Sequence, residues 1–103
     1  MLVSQSEESD LPHLREGTLE ILIRRPTRSC TCSGRLTPVM ADSPSVEVEM
    51  LSSPEGMPDF RIHAGTGTVF DFNVHVTSGE RRVPLPVGEY RIRYSADSSS
   101  AGM

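Results

Sequence analysis

The chain has no tryptophan, only two cysteines, and no apolar run approaching the ~20 residues that a membrane-spanning helix needs. Each shortage closes off a class. Cys30 and Cys32, one residue apart, supply no disulfide framework and agree with a reducing compartment. Met1 to Asp10 carries serine and acid where a secretory leader would be basic and then apolar, so the expected compartment is the cytoplasm. A formal net charge of −4 and a pI near 5.3 remove the electrostatic reason to expect nucleic acid, and favour a basic protein as partner. Aromatic residues make up 5% of the chain, which sets a modest core.

At 103 residues the chain has enough length for one core and too little for two. Residues 1–17 are rich in serine and acid, with Pro12 and Gly17 as breakers, and are expected to form a flexible N-terminal arm. A β domain is expected over residues 18–96 and a flexible tail over 97–103.

What is present is alternation. In Thr68–Thr77, Phe70, Phe72, Val74 and Val76 fall on one face, and Val69, Asp71, Asn73, His75 and Thr77 on the other, the period of a strand with one wet side. Leu19, Ile21 and Ile23 share a face of a first strand over Thr18–Arg24, and Val46, Val48 and Met50 share a face of another. Phe60 and Ile62 supply a short strand, and Tyr90, Ile92 and Tyr94 the inward face of the last one. Arg24–Gly34 reads as a loop or ragged edge, and Arg35–Met40 as a weak edge strand limited by Pro38. With Ser78-Gly79 as a hairpin tip, Val74 would face Val83, Phe72 would face Leu85 and Phe70 would face Val87. Pro84 and Pro86 would then leave a bare edge, so the last strand should cross to a second sheet. About seven short strands with turns between them predict an all-β, antiparallel β-sandwich.

Chemistry has few places to sit. Cys30 and Cys32 would share a strand face and could grip a soft ion such as zinc, with His63 and His75 completing a candidate metal set, although the two histidines stand twelve residues apart on different predicted strands. Ordinary edge cysteines explain the same residues without a metal. Asp71, Asn73 and His75 line one wet face, with Arg82 opposite His75 in the hairpin register, and no nucleophile stands beside them. No catalytic residue and no cofactor is expected. Gly65-Thr66-Gly67 lacks the lysine and helix of a phosphate loop. Arg24, Arg25, Arg28 and Arg35 read as edge protection or as partners for Glu47 and Glu49. Glu47, Glu49, Glu55 and Asp59 form the candidate partner-binding group, since matched potentials steer association.

The run Leu85-Pro86-Val87-Gly88-Glu89-Tyr90-Arg91-Ile92-Arg93-Tyr94-Ser95-Ala96, with Val46-Glu47-Val48-Glu49 and Pro54 upstream, resembles small bacterial β-sandwich proteins related to the competence-locus nuclease inhibitor. That resemblance implies a non-enzymatic protein whose acidic surface covers a basic partner such as a nuclease. The expected function is therefore a protein-binding or inhibitor module, immunity-like in role. A metal or small-ligand protein built on Cys30, Cys32, His63 and His75 is the alternative.

Overall fold

The computed structural model describes residues 2–11 and 13–98, and these form seven strands and no helix. They are β1 (Leu2–Leu11), β2 (Leu14–Ile23), β3 (Ser29–Arg35), β4 (Ser45–Ser52), β5 (Phe60–Ala64), β6 (Asp71–Ser78) and β7 (Gly88–Asp97). The larger sheet has the order β1-β2-β7-β4 and the smaller β3-β6-β5, all pairings being antiparallel. The all-β, two-sheet architecture read from the alternation is the one observed.

The core forms where the apolar rows of the two sheets meet. Leu19, Ile21 and Ile23 of β2 lie there with Tyr90, Ile92, Tyr94 and Ala96 of β7 and with Phe72, Val74 and Val76 of β6, none more than 3% exposed. Burying each of the larger side chains contributes ~1.5–3 kcal/mol. The cross-strand register sets Gly17 opposite Tyr94 and Gly34 opposite Phe72. Each ring occupies the space that a side chain on its glycine would take: a Cβ on Gly34 would lie 2.1 Å from Phe72 Cζ, and one on Gly17 would lie 2.5 Å from the Tyr94 hydroxyl. The two rings meet across the sheets, with centroids 4.8 Å apart.

Several expectations give way. Leu2–Leu11, read as a flexible arm, is β1, and β2 begins at Leu14 rather than Thr18. A ladder with β2 running from Leu2 opposite Leu22 to Leu11 opposite Leu14 orders β1, and the side chain of Gln5 ties it to the other sheet. Its Nε2 donates to the Arg35 carbonyl at 2.7 Å and its Oε1 accepts from the Arg35 N–H at 2.8 Å, so one amide stands in for a strand residue at the β3 edge. The same Nε2 also donates to the Tyr94 hydroxyl at 2.8 Å. Arg15, another residue of the expected arm, is buried, and its Nε donates to the Leu11 carbonyl at 2.8 Å. The expected tail loses Asp97 to β7, and the Ser98 N–H donates to the His13 carbonyl at 2.9 Å; residues 99–103 lie outside the described part.

The proposed hairpin at Ser78-Gly79 does not form. The strand neighbours of β6 are β3 and β5, and residues 80–87 form no strand. Phe72, Val74 and Leu85 are buried as expected, but Phe70, Val83 and Val87 are 56%, 39% and 49% exposed. Pro84 and Pro86 lack the N–H a ladder needs, which leaves Leu85 as a single bridge, to Thr27. The apolar row of β6 instead faces Cys30, Cys32 and Gly34 of β3, in the segment read as a loop. Arg35–Met40 is correspondingly not a strand beyond Arg35. It is strapped down where the Leu36 and Met40 N–H groups donate to the Phe70 and Val69 carbonyls, which buries both side chains. The last strand does cross to the other sheet.

Candidate functional site

The four candidate metal ligands are not brought together. Strand alternation turns Cys30 and Cys32 inward, opposite Val76 and Val74, with Cys32 buried and Cys30 half-buried. His63 and His75 are register partners on β5 and β6, stacked with centroids 6.3 Å apart and exposed on the outward face. The sheet itself separates thiols from imidazoles. Among the described residues no group of three or more His, Cys, Asp or Glu side chains is placed to hold a metal ion. Burial pushes the Cys30 thiol up and raises Cys32 to about 11, with the neighbouring Cys30 adding to the second shift. Both remain protonated at neutral pH, the unreactive form.

The wet face around His75 is a cross-strand ladder. Thr31 Oγ1 and His75 Nδ1 are hydrogen-bonded at 2.9 Å, and Ser33 Oγ donates to Asn73 Oδ1 at 2.7 Å. Thr31 holds the register position opposite His75 that the hairpin reading gave to Arg82.

The outward face of the larger sheet is the first candidate surface. Alternation turns Glu16 and Glu20 of β2, Arg91 and Arg93 of β7, and Glu47 and Glu49 of β4 to the same side. Arg91 reaches Glu20 at 3.6 Å and Arg93 reaches Glu16 at 3.4 Å. Arg93 is opposite Glu49 in register, yet its guanidinium turns to Glu16. Glu47 and Glu49 are exposed and have no ion-pair partner among the described residues. A depression of about 240 Å³ is lined by Glu16, Glu47, Glu49 and Arg93. Glu55 and Asp59 are exposed in the loop after β4 and do not line it; the Asp59 carbonyl accepts the Gly79 N–H at 2.6 Å. The expected acidic group therefore divides into two pairs.

The second surface holds the arginines read as edge protection or as partners for Glu47 and Glu49, and among the described residues none of them pairs with either glutamate. Arg24 and Arg25 follow β2 and, with Ile23 and Cys30, line a cleft of about 490 Å³ between the end of β2 and the start of β3. A guanidinium nitrogen of Arg28 donates to the Arg81 carbonyl, while Arg35, at the far end of β3, is held by Gln5. The basic cluster is thus split along β3. Gln5 carried no signal in the sequence, being one polar residue among serines and acids.

No family model matches the chain, and no curated protein matches it. Among solved structures it is similar in fold to an N-truncated R1-type pyocin tail fiber, with a TM-score of 0.52 and 9% identity over 93% of this chain and 84% of that one.

Proposed function

We propose that the chain is a protein-binding module without chemistry of its own, which covers a basic partner in the manner of an inhibitor. One observation carries this reading: Glu47 and Glu49 stand exposed on an edge strand, while the neighbouring Glu16 and Glu20 are already neutralised by Arg93 and Arg91. Uncompensated carboxylates at the rim of a sheet raise the association rate with a positively charged surface. The resemblance of the β4 and β7 segments to relatives of a nuclease inhibitor supports the same role, and two free thiols suit a reducing cytoplasm. The test is affinity capture from host extract with the natural chain and with Glu47→Arg/Glu49→Arg. A basic protein retained by the first and lost from the second supports the reading; equal retention by both, or no basic protein at all, ends it.

A second reading follows from the likeness in fold to a tail fiber: the chain would be a building module of a protein fibre. Sedimentation of the purified chain tests this second reading: self-assembly into a defined oligomer supports it, and a monomer at all concentrations counts against it.

A further inference from the structure

The smaller sheet is one strand short of the sheet it faces. Of the larger sheet's two edges, β4 packs against β5, whereas β1 meets β3 through the Gln5 side chain near Arg35. Val3 shows the consequence. It shares a register row with Ile21 and Tyr90, both buried, yet it is 39% exposed because no strand of the smaller sheet covers it.

The backbone of β3 is open on the same side. The Ser78 N–H donates to the Arg28 carbonyl, so even-numbered residues of this segment direct their N–H and C=O groups to β6. Odd-numbered residues point the other way, and both ends of the run agree: Thr27 pairs with Leu85, and Arg35 pairs with Gln5. Between them lie Ser29, Thr31 and Ser33. Thr27 Oγ1 donates to the Ser29 carbonyl, and no strand among the described residues pairs with that edge.

Natural edges are blunted by charge, proline or a bulge. The Ser29-Cys30-Thr31-Cys32-Ser33 stretch has none of these, its register with β6 being unbroken. The arginines flank the stretch instead of occupying it. Arg24 and Arg25 line the adjoining cleft and have no carboxylate partner among the described residues.

We propose that this edge takes an extended, acidic segment of a partner protein, which adds to β3 as a fourth strand beneath β1. Alternating N–H and C=O groups along an edge call for a peptide backbone, which a small anion cannot supply. The alternate side chains of the added strand would be aliphatic, resting on half-buried Cys30 and exposed Val3, and its carboxylates would meet Arg24 and Arg25. This surface is separate from the carboxylates of β4, and either can fail without the other.

The experiment uses the full chain and the probe acetyl-Glu-Val-Glu-Val-Glu-amide, followed by amide exchange and chemical shifts in NMR. The expected result is at least a tenfold slowing of exchange at Ser29, Thr31 and Ser33 in the presence of saturating peptide. Binding should weaken at least tenfold for an Arg-Val-Arg-Val-Arg probe and for Arg24→Glu/Arg25→Glu, whose exposed side chains leave folding intact, and should be unchanged by Glu47→Arg/Glu49→Arg. Three results overturn the proposal: no binding at millimolar peptide, binding that leaves those three amides unprotected, or their protection in the protein alone as it dimerises, which would assign the edge to a second copy.

Discussion

Gly34→Ala is the sharpest test of how the two sheets are joined. The added Cβ would lie 2.1 Å from Phe72 Cζ and 2.4 Å from Cε1, where carbon atoms settle at ~3.5–4.0 Å. The ring would have to withdraw by ~1.5 Å within a packed core where the centroid of the Tyr94 ring is only 4.8 Å from its own. Overpacking of this kind costs ~1–3 kcal/mol. Against that, an alanine stiffens the unfolded chain and returns ~0.4–1 kcal/mol. The net expectation is a loss of ~1–2 kcal/mol in urea unfolding, or several degrees in Tm at ~4–8 °C per kcal/mol for a domain of this size. Adding Phe72→Leu should relieve the clash, so the two substitutions together cost less than their sum by ~0.5 kcal/mol or more. A Gly34→Ala protein as stable as the natural chain, or costs that simply add, would show that Phe72 does not lie over Gly34.

Other perturbations test other parts of the architecture. Gln5→Ala removes the bonds to Arg35 and Tyr94, and should cost ~1–3 kcal/mol by chemical denaturation; no loss would show that the Gln5 amide does not tie β1 to the edge of β3. Alkaline unfolding should begin above pH 9, because the Cys32 thiol rises from 9.0 to about 11 and the Tyr90 phenol from 10.0 to about 12 on folding, each through burial first and the nearby Cys30 second. A raised folded value favours the neutral form, so this stability is complete below the unfolded value and lost as pH climbs through the folded one. Cys32→Ala should shrink the decline between pH 9 and 11, and an unchanged slope would contradict the burial of that thiol. Iodoacetamide should modify half-buried Cys30 faster than buried Cys32, and equal rates would contradict the difference in their burial.

The rows Leu19-Ile21-Ile23, Phe72-Val74-Val76 and Tyr90-Ile92-Tyr94 were legible because strand period and solvent contrast coincide there. Who pairs with whom was not. A row of alternating valines fits any apolar row, and the reading chose the adjacent Val83-Leu85-Val87 over a distant segment whose inward residues are two cysteines and a glycine. Cysteine and glycine carry little strand signal, yet Gly34 is what lets Phe72 into the core. β1 was illegible for a related reason. Its serines and acids have the composition of an unstructured arm, and what orders it is a backbone ladder with β2, to which Gln5 adds a tie to a backbone 30 residues away. The acidic residues of β4 were legible as charges, but their freedom from Arg91 and Arg93 appears only once the strands are laid side by side.

Amide exchange along β3 in the free protein asks most directly whether this edge is open. Cys30, Cys32 and Gly34, directed at β6, should exchange slowly, as should Arg35, held by Gln5, while Ser29, Thr31 and Ser33 exchange fast. Uniform protection from Ser29 to Arg35 would mean that another strand already covers the edge, and uniform fast exchange would mean that β3 is the loop its composition suggests.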